Sequence, residues 1–412
     1  MNNKYNSLPM LRFPEFSGEW TQYKLGECFD ERNEQFPESS DYPLMAFIAG
    51  KGVTEKGEKY DRSALVKDAP NKKYKRTELG DFIYSSNNLE SGSIGLNRYG
   101  KACISPVYSI FKAKKGFDPY FIGTILTQKS FISEMIKYRQ GVVYGQWKIP
   151  EKEFLNLIIR IPSFGEQQRI AEFLEAEDRM IAAQEQKVES LKAHKKGLMQ
   201  QLFPQPGATT PALRFSGFTG DWQEKPLCSL AAKVNQKNKD FAVTRVLTNS
   251  ATEGVVDQNA YFERDIAVKD NTNNYYIVDK DDFVYNPRIS STAPVGPISI
   301  NKVGKGIISP LYTVFKFQQG HIAFFEQYFQ TEIWHPYLKS IANFGARFDR
   351  MNITTDGFFN MPLFVPSIEE QQKIAECLET LDNLIAAESK KLESLTAHKK
   401  GLMQQLFPQP VK

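Results

Sequence analysis

The side chains of this chain that could do chemistry are basic and amide groups in short loops rather than a catalytic constellation. Two glycine turns rich in basic residues, 97–101 (NRYGK) and 301–305 (NKVGK), precede apolar segments, and two irregular loops, 139–148 and 343–352, come late in each half. Arginine, lysine and asparagine in such loops can bind the bases and phosphates of a nucleic acid. The chain has no phosphate-binding loop and no glycine-rich dinucleotide motif, so nucleotide-dependent catalysis is not expected.

The cysteines, histidines and charges further limit the classes of protein to which this chain can belong. The four cysteines and four histidines have no spacing typical of a metal site or a disulfide framework. No run of eighteen apolar residues predicts a membrane span, and the first residues lack the apolar region of a signal peptide. The net charge is +4, and the positive excess lies in the globular segments rather than in the long helical ones. These features predict a cytoplasmic protein without a bound metal, whose globular parts can bind a nucleic acid.

The longest feature that positions these loops is a stretch that occurs twice, at 163–206 and 367–410, with 31 identities in 44 positions. Each copy begins with a Ser-x-x-Glu capping box and ends at a proline, which predicts one long helix per copy. Apolar residues recur at steps of three and four, which predicts a coiled coil in which the two helices pair antiparallel. An ordinary amphipathic core helix is the alternative. The seam consists of Ile170, Leu174, Ile181, Val188, Leu191, Leu198, Ile374, Leu378, Leu381, Ile385, Leu392, Leu395 and Leu402.

The globular segments before the helices are also repeated, more faintly. LRFPEFSGEW at 11–20 corresponds to LRFSGFTGDW at 213–222, and ISPVYSIFK at 104–112 corresponds to ISPLYTVFK at 308–316. The second pair is predicted to be one strand in each half, because β-branched and aromatic residues nearly alternate there. Strands followed by a helix and a final strand predict an α+β fold for each globular segment.

The expected architecture is therefore a pseudo-two-fold internal repeat. Residues 1–162 and 207–366 are the predicted globular α+β domains. Residues 163–206 and 367–412 are the long helices, the second with a short tail. Two α+β domains are thus expected to be separated by two long antiparallel coiled-coil helices.

The order and duplication of these motifs resemble one known family. The helix motifs EQQRIAEFL and EQQKIAECL, each continuing to HKKGLMQQLF, are similar to those of the specificity subunit of type I restriction-modification enzymes. The LRFPEF and LRFSGF openings and the ISPVYSIF and ISPLYTVF segments resemble the target recognition domains of that family. The resemblance covers essentially all of the chain.

The resemblance implies a non-catalytic subunit for DNA recognition in host defence. Each target recognition domain of the family binds one half of a bipartite, asymmetric sequence in double-stranded DNA, and the helices act as a spacer. The helices also dock two methyltransferase subunits, which carry S-adenosylmethionine. Two restriction subunits, which use ATP and Mg²⁺, are expected to join them in the bacterial cytoplasm. No cofactor is expected on this chain itself.

With DNA as the implied ligand, loop chemistry selects candidate contact residues in both globular domains. In the first domain they are Lys72, Lys73, Lys75, Arg76, Ser85, Asn87, Asn88, Arg98, Lys101, Arg139, Tyr144, Gln146, Trp147 and Lys148. In the second domain they are Asn286, Arg288, Ser290, Lys302, Lys305, Arg347 and Arg350. The alternative for each of them is an ordinary solvated surface side chain.

Two other functions stay open from the residues alone. One is a scaffold or oligomerisation protein whose globular domains bind proteins. The other is an enzyme with a site of an unrecognised kind. Salt-dependent binding of DNA by a reconstituted complex would favour DNA recognition over the scaffold, because phosphate contacts release counterions.

Overall fold

The computed structural model describes residues 8–55, 72–142, 146–205, 207–262, 272–343 and 349–408. Two candidate contact residues, Tyr144 and Arg347, lie outside the described residues. The side chain of Gln146 is not among those described either, although its backbone belongs to a strand.

The chain forms two compact units, and the first of them combines two separate stretches of the sequence. The first unit runs to Gln184 and takes in the chain again from Lys391 onward, whereas the second is Glu185–Lys390. Each unit therefore contains one globular domain, called head 1 or head 2 below, together with part of each long helix.

Head 1 is built around a four-stranded antiparallel sheet. The strands of head 1 as a whole are β1 Thr21–Lys24, β2 Phe29–Glu31, β3 Gln35–Phe36, β4 Ala46–Ile48, β5 Gly52–Thr54, β6 Tyr74–Thr77, β7 Phe82–Tyr84, β8 Ile94–Leu96, β9 Ala102–Ile104, β10 Ser109–Ala113, β11 Gln140–Val142, β12 Gln146–Lys148 and β13 Ile158–Ile161. Its helices are α1 Leu25–Cys28, α2 Pro119–Leu126, α3 Lys129–Ile136 and α4 Glu151–Asn156, followed by the long helix α5 Phe164–Leu202. The main sheet has the order β2-β10-β7-β8, and β1 pairs with β13 just before α5 begins.

Head 2 repeats this plan. Its strands are β14 Gln223–Pro226, β15 Ala231–Lys233, β16 Leu247–Ser250, β17 Gly254–Asp257, β18 Tyr276–Val278, β19 Phe283–Tyr285, β20 Ile298–Ile300, β21 Gly306–Ile308, β22 Thr313–Phe317 and β23 Pro362–Val365. Its helices are α6 Leu227–Leu230, α7 Gln258–Phe262, α8 Ile322–Phe329, α9 His335–Ile341 and α10 Thr355–Phe359, followed by the long helix α11 Ile368–Leu406. The main sheet, β15-β22-β19-β20, has the strand order of head 1. The prediction of a duplicated α+β fold with two long helices is confirmed.

One predicted element is divided in both heads. The segment 104–112, predicted as a single strand, forms β9 and β10 joined by a tight turn in which Tyr108 N–H donates to the Ser105 carbonyl at 3.3 Å. Pro106 has no N–H for a strand ladder and its φ suits the second position of a turn. The same break separates β21 from β22, so the single-strand prediction was wrong in both halves.

The long helices α5 and α11 have 39 residues each, which corresponds to roughly 60 Å at the helical rise per residue. In the second unit they run antiparallel. Lys187 Nζ of α5 lies 2.6 Å from Glu388 of α11, and Lys195 Nζ of α5 lies 2.6 Å from Asp382 of α11. The paired residue on α11 therefore comes earlier in the chain as the residue on α5 comes later.

The helix segments of the first unit are antiparallel as well. Asp178 of α5 pairs with Lys399 of α11. Leu406, seven residues further along α11, belongs to the same buried core as Ile170 and Leu174, which precede Asp178 on α5. The predicted antiparallel pairing is thus found within each unit.

The predicted seam residues differ in how deeply they are buried. Ile170, Leu174, Val188, Ile374 and Leu378 are buried, whereas Ile181, Leu191, Leu198, Leu381, Ile385, Leu392, Leu395 and Leu402 are half-buried. Two polar residues of the seam, Gln184 and Lys195, are also buried. That these residues dock a partner protein stays a prediction.

The helix starts form only half of the expected capping box. Glu166 N–H donates to Ser163 Oγ at 3.4 Å, as the box requires. The Glu166 carboxylate, however, accepts from Arg12 Nε and Nη2 at 2.8 and 2.7 Å. Arg214 binds Glu370 in the same way, at 2.8 and 2.6 Å. These helix-start ion pairs attach the first residues of each head to the long helix that follows that head.

In each unit an aromatic triad packs the C-terminal end of one long helix against the head: the end of α11 against head 1, and the end of α5 against head 2. The triads are Trp20, Phe121 and Phe407 in the first unit, and Trp222, Phe324 and Phe203 in the second. Their ring centroids are 5.5–6.4 Å apart in both units. Four of the six ring pairs pack edge to face and two are tilted. Edge-to-face packing stabilises a contact beyond the burial of apolar area. The end of α11 therefore belongs to the core of head 1, and the end of α5 to the core of head 2.

Candidate nucleic-acid interface

In head 1, two of the predicted stretches come together at one end of the main sheet. The loop 85–93 follows β7, and the hairpin β11–β12 lies beside it. Trp147 N–H donates to Asn87 Oδ1 at 2.5 Å, and Ile149 N–H donates to Ser86 Oγ at 3.0 Å. Arg139 Nη1 lies 2.9 Å from Glu90. We call this surface, residues 85–93 with β11 and β12, the first loop surface.

The first loop surface presents amide, aromatic and basic groups to solvent. Asn87, Asn88, Trp147 and Lys148 are exposed, and the Trp147 side chain is 49% accessible despite its size. Lys148 Nζ is 3.5 Å from Glu151 at the start of α4. Asparagine can pair with an adenine edge, and an exposed indole can stack on a base.

Head 2 has a corresponding surface after β19. Ile289 N–H donates to the Asp349 carbonyl, and Met351 N–H donates to the Pro287 carbonyl, both at 3.0 Å. Arg288 and Arg350 are consequently direct neighbours across two paired segments. We call residues 286–293 with 349–352 the second loop surface. Arg288 Nε also lies 3.7 Å from the Asp349 carboxylate. Two arginines on neighbouring segments suit guanine edges or phosphates.

The side chains that hold the second loop surface in place are buried amides. Asn286 Nδ2 donates to the Asn249 carbonyl at 2.9 Å, and its Oδ1 accepts from Arg288 N–H at 3.0 Å. Asn249 Nδ2 in turn donates to the Val284 carbonyl at 2.7 Å. Ser290 Oγ lies 3.1 Å from Thr292 Oγ1 at the exposed end of the loop. Asn249 was missed in the sequence, because nothing near it in the chain marks it as a support.

Three predicted contact residues face inward rather than toward solvent. Asn286 and Ser85 are buried at the loop bases, so their side chains cannot reach a base edge without rearrangement. Lys75 is also buried, and its Nζ donates to the Tyr108 carbonyl at 3.0 Å. Burial lowers the pKa of Lys75, although the charge of Glu151 opposes the effect. These residues support the fold of the heads.

The rest of the basic run in head 1 is partly engaged as well. The Arg76 guanidinium lies 4.1 Å from the Phe36 ring centroid and 4.4 Å from that of Tyr42. Lys72 and Lys73 are exposed, and Lys72 Nζ is 5.6 Å from the ring centroid of Tyr74. Only the two lysines are therefore presented to solvent for phosphate binding.

The basic glycine turns lie at the opposite end of the sheet from the loop surfaces. β7 and β8 are antiparallel, with Tyr84 opposite Ile94 and Phe82 opposite Leu96. The loop 85–93 therefore leaves one end of this hairpin, and the turn 97–101 leaves the other. The candidate residues of each head therefore lie at both ends of its main sheet.

Each basic residue of these turns has a partner within its own unit. Arg98 Nη1 and Nη2 are both 3.1 Å from Asp178 Oδ2 on α5. Lys101 Nζ is 5.6 Å from the Tyr42 ring centroid. Lys302 Nζ is 2.5 Å from Glu326, and Lys305 Nζ is 3.7 Å from Asp279. Arg98 thus joins head 1 to a long helix while its side chain stays 58% exposed, and its role in DNA binding stays a prediction.

Asp178 and Asp382 are the other residues that sequence reasoning missed. They occupy equivalent positions of the two long helices, and each accepts hydrogen bonds from a head and from the opposing helix. Their retention at the same place in both repeats was visible in the sequence and was the signal that could have found them.

Within the described ranges, no cluster of three or more His, Cys, Asp or Glu side chains could hold a metal ion. None of the helices described has both the length and the apolar character that crossing a membrane requires.

Comparison with known proteins agrees with the duplicated fold. A family profile described as "Type I restriction modification DNA specificity domain" matches residues 17–193 and again 221–397. The putative type I restriction enzyme MjaX specificity subunit of Methanocaldococcus jannaschii is 25% identical over 311 residues, which cover 71% of this chain and 68% of the relative. The MjaVIII specificity subunit of the same organism is 23% identical over 372 residues, 84% of each chain.

A solved structure has the same fold. The crystal structure of a type I restriction-modification S subunit from M. genitalium covers 98% of this chain and all of its own, with a TM-score of 0.58 at 15% identity. The two matches of the family profile coincide with the two heads and most of the two long helices. The chain therefore belongs to the type I restriction-modification specificity subunits, with two tandem target recognition domains.

Proposed function

We propose that each head of this chain binds one half of a bipartite DNA sequence, and that the first and second loop surfaces contact the bases. The observation that carries the proposal is that the two heads keep one scaffold but present different side chains at equivalent places. Asn87, Asn88 and Trp147 stand on the first surface, and Arg288 and Arg350 stand on the second. Different groups on equal scaffolds suit an asymmetric target.

The long helices, in this proposal, set the distance between the half-sites and dock two copies of a methyltransferase. Two pairs of exposed apolar residues at equivalent helix positions support a partner that is present twice. Phe164 and Ile368 are 43% and 42% accessible, and Met180 and Leu384 are 52% and 40% accessible. Apolar side chains exposed at the same place in both repeats fit a surface that is covered in the complex.

The chain itself would be non-catalytic, and the chemistry would belong to its partners. S-adenosylmethionine would be bound by the methyltransferase subunits, and ATP and Mg²⁺ by two restriction subunits. The complex would act in the bacterial cytoplasm. Membership of the specificity family supports this division of labour.

The test is a double substitution in the reconstituted complex. Arg288→Ala with Arg350→Ala should weaken DNA binding and relax the sequence preference of one half-site, at about 1–3 kcal/mol per lost base contact. The other half-site should keep its preference. The readout is methylation of a library in which each half-site is randomised separately.

The matched control is Lys302→Ala with Lys305→Ala, which removes the same charge from the opposite end of head 2. This control should leave both half-site preferences intact. An unchanged preference in the arginine variant, or an equal loss in the lysine variant, would contradict the assignment of the second loop surface. Binding that did not weaken with added salt would instead favour a protein scaffold.

A further inference from the structure

We propose that Asp178 and Asp382 are positioning residues that lock each head at a fixed angle on its helices, and so determine how strictly the complex selects the distance between half-sites. This inference rests on the proposed function. It concerns the strictness of spacing and not the sequence of either half-site.

In the first unit, Asp178 joins three segments. Its Oδ2 accepts from both terminal nitrogens of Arg98, on the glycine turn of head 1, and from the hydroxyl of Tyr120 on α2. Its Oδ1 accepts from Lys399 on α11. The Arg98 guanidinium also lies 4.6 Å from the Tyr120 ring centroid. One carboxylate thus connects head 1, its own helix and the opposing helix.

In the second unit, Asp382 does the same with different partners. Its Oδ1 accepts from Lys195 of α5 at 2.6 Å, and its Oδ2 accepts from Gln327 of α8 at 2.9 Å. Lys195 Nζ also donates to Gln330, just after α8, at 3.0 Å. Lys195 and Gln327 are both buried.

The two sites are related by the internal repeat. Asp382 is equivalent to Asp178, and Lys195 is equivalent to Lys399, so the contact between the helices is the same pair twice. The groups contributed by the heads have diverged, from an arginine and a tyrosine to two glutamines. The aspartate is thus retained in both repeats and binds a head in both, although the side chains that the heads offer to it differ. This indicates that the attachment of the head to the helix is required.

The position of the carboxylates along the helix explains what they do. Each head is already attached at the start of its helix, through Glu166 or Glu370. Asp178 and Asp382 each lie twelve residues further on, about 18 Å along the helix axis. The core contacts and the aromatic triad of each head also lie near this start of its helix, where the end of the opposing helix meets it. Attachments confined to that end leave a head free to pivot, whereas a further attachment this far along the helix fixes its angle. A fixed angle places a loop surface at a defined distance along a duplex.

The experiment uses the full chain with its methyltransferase subunits. Asp178→Asn keeps the size of the side chain and removes its charge. DNA substrates carry both half-sites, separated by the preferred spacer or by one base pair more or less. We expect the preference for the correct spacer to fall by about tenfold, the effect of one lost charge-assisted hydrogen bond. The sequence preference within each half-site should not change. A merely less stable protein would instead lose activity equally on substrates of every spacer length.

The control is Lys187→Gln, which removes an ion pair between the same two helices and leaves both aspartates in place. It should keep the wild-type spacer profile. If Asp178→Asn does not assemble, Arg98→Gln with Tyr120→Phe decides the matter, because it removes both partners on head 1 and retains the Asp178–Lys399 pair. A wild-type spacer profile in the assembled variant would overturn the inference. Absence of sequence-selective methylation by the wild-type complex would instead overturn the proposed function.

Discussion

A single carboxylate, Asp178, shows how a charge can contribute to folding at a partly buried site. Burial alone would raise its pKa, but hydrogen bonds from Lys399 and Tyr120, with the charges of Lys399 and Arg98, lower the pKa below the usual aspartate value. A carboxylate with a lowered native pKa stabilises the fold above its unfolded pKa of about 3.9. That contribution is lost as the pH falls through the native pKa.

The corresponding prediction compares the wild-type chain with Asp178→Asn. We expect the variant to have the lower unfolding temperature at about pH 7. The difference should shrink as the pH falls below about 4, because the carboxylate is protonated first in the unfolded chain and, at lower pH, in the folded one. Thermal unfolding of both proteins across this range measures it. A difference that stayed constant at every pH would show that the charge of Asp178 does not stabilise the fold.

At the scale of elements, the connection between β19 and β20 depends on one glycine. Gly296 has φ +78°, and a Cβ added there would overlap the carbonyl of Asn286, the residue that anchors the second loop surface. The equivalent Gly92 of head 1 also has a positive φ, +89°, but its added Cβ would be 3.7 Å from the nearest atoms. The two glycines therefore share a backbone requirement and differ in the space around them.

Gly296→Ala should thus cost more than Gly92→Ala. Both pay about 1–2 kcal/mol for a left-handed backbone with a Cβ, and only Gly296→Ala must also displace the Asn286 carbonyl. We expect Gly296→Ala to lower the free energy of unfolding further and to weaken recognition of the second half-site. Urea denaturation and the half-site library measure the two effects. Equal losses of stability in both variants would contradict the role of the close approach.

The elements also show what sequence reasoning could and could not supply. The seam from Ile170 to Leu198 and its repeat in α11 were predictable, because heptad spacing and duplication are properties of the chain alone. Proline at position 106 indicated a turn, but the prediction followed the near alternation of β-branched and aromatic residues, which indicated a strand. The pairing of Arg98 with Asp178 could not be predicted in this way, because it depends on which end of the β7–β8 hairpin meets α5. The same tertiary choice separated Arg98 from Asn87, two residues that the sequence analysis selected as candidate contacts.

At the scale of the whole chain, duplication followed by unequal divergence is consistent with the proposed division of labour. The long helices keep the pairs Asp178–Lys399 and Asp382–Lys195, and each binds a head. The loop surfaces follow equivalent strands, β7 and β19, but present different side chains. Parts that meet the same partner twice would stay alike, whereas parts that meet different half-sites would diverge.

The last prediction concerns the length of the helices. Residues 184–187 and 388–391 are equivalent in the repeat and lie opposite each other, since Lys187 pairs with Glu388. Deleting both segments removes about one turn, roughly 6 Å, from each helix and leaves Asp178 and Asp382 with their lysine partners.

If the helices set the reach between half-sites, the preferred spacer should shorten by about two base pairs, because each base pair rises about 3.4 Å. Both half-site sequences should stay the same, since neither loop surface is altered. The measurement is methylation of substrates that differ only in spacer length. A deletion variant that assembled with its methyltransferase and kept the original spacing would show that the helices are not the ruler, and the distance would then have to be set by the partner subunits.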